Sequence, residues 1–487
     1  AFNQARQFFP TTGFLDVNSF IDEMEQMLAE GTLNESGIDY GALITPLQQA
    51  ENEYDKRIQR QTMINAKVDW KITDHLTFTP SVGLTMTSTR RDQFYNSQTR
   101  QGMIFKRYNG VMVNSKGINA NRSINDVKSI LNENILRYNR TFNRDHKLEV
   151  MGGFTYQYSE WNPYAFSVSN IPQAFEHLKM DRLDLGTPYG KITSQKSANQ
   201  LVSLLGRVNY TFRDKYLLTA SIRDDGSSKF AKGHQWGIFP SGAFAWRFTE
   251  EPFMQWITPV MSYGKLRLTY GSVGNNRNVM DYAYAIEFNA GDNMYEYPTD
   301  ALSQQTGYGV VPFFYANKEL TWEKTREFNA GLDLAFFQDR IYLSVDAYER
   351  NVTDMLIPKS LPYYMGYMNG ANTRVENAGS MSIRGLEITL NTLNVRKGRF
   401  TWKTDFTLSY VKSRIKSFER GADLMTYIYN GFSPNQIWLA QAGASSSQFY
   451  GFVFDGLYQL GDFEQDAHGN YLLKPDVVGF KTVTGGY

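Results

Sequence analysis

Residues 200–248 read QLVSLLGRVNYTFRDKYLLTASIRDDGSSKFAKGHQWGIFPSGAFAWRF. Leu204, Gly206, Val208, Tyr210 and Phe212 fall on one face of an extended chain, and Arg207, Asn209 and Thr211 on the other. A period of two over this length marks a strand lying between two different environments. Arg213-Asp214 make a short turn, after which Tyr216, Leu218, Ala220 and Ile222 alternate with Thr219, Ser221 and Arg223. A Gly/Ser-rich loop follows at 224–233, and a third strand puts Ile238, Phe244, Trp246 and Phe248 on its apolar face. The strands run at least the roughly 9–11 residues that a tilted membrane strand needs. Long strands joined alternately by tight turns and long loops predict a large antiparallel transmembrane β-barrel, all-β, with short periplasmic turns and long extracellular loops.

The same grammar extends in both directions. Upstream, 62–72 places Ile64, Ala66, Val68, Trp70 and Ile72 outward, and Thr73-Asp74-His75 turns into 76–88. A polar stretch at 89–128 reads as a loop; strands at 129–140 and 147–158 flank a turn at 143–146, and 159–199 reads as a second long loop. Downstream, 249–263 connects to a strand at 264–274. If tight turns all lie on one side, the turn at 338–340 requires 275–320 to be a single loop, with the strand-like piece 282–288 inside it. Strands are expected at 321–337, 341–357, 376–395, 399–415 and near 449–459, with loops at 358–375 and 416–448. That gives about thirteen strands. Bacterial barrels close with an even number, and an open sheet would leave edges unpaired in lipid, so a piece of a larger barrel is expected. Residues 1–60 read as an extracellular loop region with short helices, one capped near Asn18 or Ser19 and running to about Glu30, another from Thr45-Pro46 toward Arg57. Residues 61–487 read as the partial barrel.

Composition agrees. Hydrophobic residues make up 42% of 487, yet no run of 18 or more is apolar, which argues against a transmembrane helix but not against strands whose lumen face is polar. The 31 Tyr and 33 Phe are accounted for by aromatic girdles at two membrane interfaces. A net charge of +1 gives no electrostatic case for nucleic acid. The absence of cysteine removes disulfides, thiol catalysis and thiolate metal sites. The chain opens on AFNQARQFFP, without a signal peptide, which also fits a fragment.

Several blocks resemble the SusC/RagA family of TonB-dependent outer-membrane transporters. They are Asp225-Gly226-Ser227-Ser228-Lys229-Phe230 with Gln235-Trp236-Gly237-Ile238-Phe239-Pro240-Ser241 and Ala245-Trp246-Arg247. Leu266-Arg267-Leu268-Thr269-Tyr270-Gly271-Ser272-Val273-Gly274-Asn275-Asn276, Leu320-Thr321-Trp322-Glu323-Lys324-Thr325 and Asn329-Ala330-Gly331-Leu332-Asp333 continue the series. Val345-Asp346-Ala347-Tyr348, Thr353-Asp354-Met355-Leu356, Asn377-Ala378-Gly379 with Arg384-Gly385-Leu386-Glu387-Ile388, and Tyr450-Gly451 with Asp455-Gly456-Leu457-Tyr458 complete it. The resemblance covers roughly residues 200–460. It implies a barrel of about 22 strands filled by an N-terminal plug in the cell outer membrane. It implies energy-coupled import of large nutrients, glycans or oligopeptides, driven through TonB and capped by a SusD-like surface lipoprotein. No plug, TonB-contacting segment or terminal strand is recognisable in these residues. A passive porin or structural barrel is the alternative.

No HExxH or G-x-S-x-G motif is present, so no catalytic residue is expected and the chain does not read as an enzyme. Ser227 with His234 is the one nearby nucleophile–base pair, and the Asp-Gly-Ser-Ser block reads more simply as turn chemistry. Residues 462–470 carry spaced carboxylates but fewer oxygen ligands than calcium needs, so a polar hairpin is expected and no metal or cofactor is assigned. Substrate contacts are expected from aromatic loop residues that can stack on sugars or pack on peptide side chains: Trp161, Tyr164, Tyr363, Tyr364 and Tyr367. Lumen-facing Arg207, Arg223 and Arg267 are candidates for acidic groups, with Arg223 the candidate substrate contact. Pairing with carboxylates of a plug is the simpler role for all three.

Overall fold

The computed structural model describes residues 44–104, 114–289, 296–298, 306–308, 311–360, 373–418, 424–429, 434–450, 463–465 and 471–473. Twelve long strands form one meander: β1 (Glu53–Lys67), β2 (Leu76–Tyr95), β3 (Asn119–Phe142), β4 (His146–Ser169), β5 (Ser197–Phe212) and β6 (Tyr216–Ser227) come first. β7 (Trp236–Trp246), β8 (Met261–Asn275), β9 (Glu323–Phe336), β10 (Ile341–Thr353), β11 (Gly379–Lys397) and β12 (Phe400–Phe418) complete it. Each is antiparallel to the next in sequence, with β1 and β12 at the two ends of the described sheet. Short strands Trp70–Lys71 and Thr187–Ser194 pair with β2 and β4.

The tight turns all fall at one end of the sheet. Asn143, Arg144, Arg213, Asp214, Phe337, Gln338, Asp339 and Gly398 take positive φ there, as two- and three-residue reversals require. Between β7 and β8 the connection is longer, built from two 3₁₀ turns, Phe248–Glu250 and Pro252–Ile257. Glu251 ties it to the sheet, accepting from Tyr216 Oη at 2.6 Å, Trp246 Nε1 at 3.2 Å and Lys215 Nζ at 3.4 Å. Because β8 pairs directly with β9, 275–320 is a single excursion from the sheet, and Glu287–Asn289 pairs with Val311–Phe314 inside it.

Several strands are longer than the sequence reading expects. β3 and β4 each have 24 residues, so 119–128 and 159–169 belong to the ladder, not to loops. The sheet also begins at Glu53, within the segment read as loop and helix. The helix of Pro46–Asn52, capped by the Thr45 hydroxyl accepting from the Gln48 amide at 3.2 Å, ends well before Arg57 because Glu53 already pairs with Tyr95. Of the expected last strand, Gln448–Phe449 pairs with Pro434–Ala440 in a separate small sheet, and 451–459 lies outside the described residues, as does the helix expected over 18–30. Phe463–Gln465 and Tyr471–Leu473 pair antiparallel, as a hairpin over that acidic stretch demands.

The alternation of faces is clearest in the middle of the ladder. In β5 and β6, Leu204, Val208, Leu218 and Ile222 are 41–53% exposed, whereas Ser203 and Asp225 on the opposite face are 0% and 9% exposed. In β12, Trp402, Phe406, Leu408 and Tyr410 are exposed, and in β9 Asp333 is buried. An apolar face turned outward and a polar face turned inward is the inverse of a water-soluble sheet and is what a lipid-facing barrel wall presents. Aromatic side chains cluster at the turn ends, with ring centroids 4.9 Å apart for His146–Phe212 and 5.9 Å for Trp246–Phe248.

Two apolar clusters lie at the loop end. One joins Phe230, Phe239, Val279, Ala283, Leu320, Trp322 and Leu356. The other joins Phe94, Ile118, Ala120, Ile171 and Met180. Here the connecting segments are folded on the sheet.

Candidate functional site

The inner face is the polar one, and it is built in tiers along β8. Nearest the turns, Arg267 is held by two carboxylates. Asp333 accepts from Nε and Nη2 at 2.8 Å each, and Asp346 from Nη1 and Nη2 at 2.9 and 2.8 Å. Ser344 donates to Asp333 at 2.7 Å. The register explains the arrangement: Arg267 faces Gly331 across the ladder and Gly331 faces Asp346, so Arg267 and Asp346 share a row, while Asp333 lies in the next inward row, opposite Lys265 and Ser344. A β-carbon on Gly331 would sit 2.6 Å from the Arg267 guanidinium carbon, so only glycine leaves room for it. Planar two-point pairing of this kind fixes direction as well as charge. Arg267 therefore pairs within the wall.

Above this tier lies a hollow of about 590 Å³. Its floor is small, from Thr219, Ser241, Ala243, Thr269 and Gly271; Val273, Val352 and Ile383 give it apolar sides. At its rim Arg350 donates to Glu327 at 2.6 Å. Its lining thus combines apolar sides, the hydroxyls of Thr219, Ser241, Thr269 and Thr325, and one ion pair.

The upper tier is the Phe230–Trp322 cluster, and it shows what the Asp-Gly-Ser-Ser block does. Phe230 is fully buried and packs tilted against Trp322, ring centroids 5.3 Å apart; the Trp322 indole N–H donates to the Gln235 carbonyl at 2.9 Å. The Phe239 ring lies over Gly274, where a β-carbon would come within 2.1 Å of it. Ser227 is 2% exposed; its hydroxyl accepts from Asn276 Nδ2 at 2.9 Å and from the Lys229 amide at 3.3 Å. His234 instead lies 3.6 Å from Glu319. These residues pin the loop over 276–286 against the mouth: Lys229 donates to the Val279 carbonyl at 2.9 Å, and Asp281 accepts from Ser197 and Asn199.

The candidate substrate residues separate on this frame. Trp161 and Tyr164 lie within β4 and not in a loop. Trp161 pairs with Ser197 on the inner phase, whereas Tyr164 pairs with Ile124 on the outer one and is 47% exposed. Arg223 is on the inner face but engaged, donating to Asp225 at 2.6 Å and to Ser203 Oγ at 2.9 Å. Arg207, on the same face, is exposed and has no ion pair among the described residues. Tyr363, Tyr364 and Tyr367 lie outside the described residues, as do 466–470 of the acidic hairpin. No cluster of metal-ligating side chains occurs among the described residues. The Glu327–Arg350 hollow was not anticipated. Its signal was available in the small inward residues 241, 243, 269 and 271, but only the register shows them to be neighbours.

A family model described as "TonB dependent receptor-like, beta-barrel" matches residues 10–484. Among curated proteins, the chain is 30% identical over 89% of its length to TonB-dependent receptor P3 of Formosa agariphila, covering 40% of that protein. It is 34% identical over 55% of its length to TonB-dependent receptor SusC of Bacteroides thetaiotaomicron, covering 26% of it. The solved structure of the RagAB peptide transporter superposes with a TM-score of 0.70 at 21% identity, over 85% of this chain and 42% of that one. The chain thus spans two fifths or less of the length of these two curated relatives. The all-β antiparallel fold and the resemblance read from the sequence both stand.

Proposed function

Since the chain belongs to the TonB-dependent receptor-like β-barrel family, we propose that it supplies barrel wall to an energy-coupled outer-membrane importer of large nutrients, glycans or oligopeptides. The observation that carries the reading is the two-faced ladder: exposed Leu, Phe and Trp outward, and a polar, ion-paired wall inward, in a family-matched sheet. The localisation is the outer membrane, with the turns periplasmic and the loops outside. No helix among the described residues is long and apolar enough to cross a membrane.

In this proposal TonB drives transport through parts of the complete protein, and a SusD-like lipoprotein closes the loop side. The structural relative RagAB is a peptide transporter. The hollow with its Glu327–Arg350 rim suits a cargo with an apolar side chain and a polar or zwitterionic end, which favours oligopeptides over glycans. The inner tiers keep the wall rigid while cargo and plug move past it; no residue of the chain is assigned a catalytic role.

The test is uptake of a fluorescent oligopeptide pool and a fluorescent oligosaccharide pool by cells carrying or lacking the complete protein. Import that is abolished by a protonophore and by deletion supports the proposal and names the cargo. Entry of both pools in proportion to size, indifferent to the protonophore, supports a passive pore instead.

A further inference from the structure

On the outer face of β9–β12, the apolar belt gives way to charge. The last belt row is Ala330, Ala347, Leu386 and Tyr410, adjacent across the four strands. The next row toward the loops is Phe328, Glu349, Arg384 and Lys412, and the one after it is Arg326, Asn351, Ser382 and Arg414. These two rows hold four cations and one carboxylate. Glu349 reaches Arg384 at 3.2 Å, but the Arg384 side chain remains 73% exposed. Arg414 Nε donates to the Gly443 carbonyl, and Lys416, just beyond, to Asn351. Arg326 and Lys412 have no ion-pair partner among the described residues.

Arg384 and Lys412 stand directly opposite each other, a like-charge pair that Glu349 relieves on the Arg384 side only. A cationic surplus also stands on β1–β3, where Lys56, Arg60, Arg90, Arg122 and Lys128 outnumber Asp92 and Asp126 on the outward phase, but it is absent from β4–β6. On β4–β6, outward Glu160 is matched by Lys196 at 3.0 Å, and Asp224 lies between Leu204 and Ile238. Nor does it reflect the whole chain, whose net charge is +1.

We propose that Arg326, Arg384, Lys412 and Arg414 form a docking site for the phosphorylated headgroup of an outer-leaflet glycolipid, its acyl chains lying along Leu386, Tyr410 and Leu408 below. Continuity with the apolar belt selects a lipid, because the bound phosphates would sit where a headgroup meets hydrocarbon. Guanidinium groups give planar, two-point contacts to phosphate, and lysine adds a point charge. The inference rests on the membrane reading above.

The experiment uses the complete protein in detergent, titrated by native mass spectrometry with diphosphoryl lipid A and with the same lipid lacking both phosphates. At least a roughly tenfold preference for the phosphorylated form is expected, as for several charge-assisted contacts. That preference is lost in the combined variant Arg326→Gln, Arg384→Gln, Lys412→Gln, Arg414→Gln and retained when the three arginines become lysine, which guards against misfolding. No preference in the parent protein, or a preference that survives the glutamines, overturns the proposal. So does displacement of the lipid by millimolar inorganic phosphate alone, which would mark a small-anion site. A nitroxide on Leu408→Cys in vesicles separates the two readings. If the label lies in water, the membrane reading falls and the lipid site with it. If it lies in lipid but no phosphate preference exists, the lipid site alone falls.

Discussion

Gly331 is the position where one added atom meets the most constrained part of the wall. A methyl group there would press on a guanidinium that four carboxylate contacts hold in place. Gly331→Ala should therefore cost about 1–3 kcal/mol, as overpacking does. At Gly152, where a β-carbon meets nothing within 4 Å, the same change should cost under about 0.5 kcal/mol. Denaturant midpoints of the refolded complete protein in vesicles would check both. Arg267→Met leaves Asp333 and Asp346 facing each other and should cost about 2–3 kcal/mol, below the figure for a fully buried pair because all three groups keep some water. A second residue-scale prediction concerns acid. Burial would raise the Glu376 carboxyl, but hydrogen bonds from Arg374 and Lys359 outweigh it and hold it below the ordinary carboxylate range. A folded-state value that is depressed gives stability present above the unfolded value, roughly 4.3 for glutamate, and lost as pH falls through the folded one. The hairpin of Leu356–Ser360 and Thr373–Asn377 should thus lose exchange protection below about pH 4, and Glu376→Gln should remove that pH dependence. Neither effect was legible in the sequence. Asp333 and Asp346 are separated by a turn, and only the register shows that both face Arg267.

At the scale of the strand, the lipid-facing phase was legible and the strand length was not. Alternation of Val208 with Asn209, or Leu408 with Thr407, exists because the two faces meet different solvents, so the period of two reports the membrane crossing itself. Beyond the membrane both faces are wet and the pattern vanishes, although the backbone ladder continues. Hence Arg90, Arg91 and Asp92, or Arg122 and Asp126, read as loop while standing in β2 and β3. In the structure Asp92 binds Arg122 at 2.7 Å across that ladder. Pro163 hid the top of β4 in the same way, and with it the true places of Trp161 and Tyr164. At 24 residues, roughly 80 Å of extended chain, these strands exceed the approximately 25 Å apolar band even when tilted. Over 275–320 turn sidedness gave the right connection, because it is a property of the whole meander and survives local loss of pattern. Phase also predicts cost. Leu408→Arg, in the belt of β12, should destabilise by about 2–4 kcal/mol, and Thr407→Arg, one residue away on the inner face, by less than about 1 kcal/mol. Refolding into vesicles under denaturant would resolve that gap, and equal costs would contradict the assignment of faces.

The whole molecule joins a polar, cross-braced interior to an apolar exterior, with loop clusters folded on its mouth. The Phe230–Trp322 cluster binds segments from 230, 279–283, 320–322 and 356 into one unit, so the loop end should move as connected pieces and not as independent loops. Trp322→Ala should loosen that unit while leaving the β5–β6 ladder protected, and hydrogen exchange would show both. Everything above depends on the even-numbered residues of β5 facing lipid and the odd-numbered ones not. The chain has no cysteine, so single nitroxide labels can be placed without background along 203–210 of the complete protein in vesicles. Collision rates with oxygen, which concentrates in hydrocarbon, should peak at Leu204, Gly206, Val208 and Tyr210. Collision rates with a polar nickel chelate should not follow that phase. An oxygen profile with no period of two, or with its maxima on Ser203, Leu205, Arg207 and Asn209, would contradict the barrel wall as described.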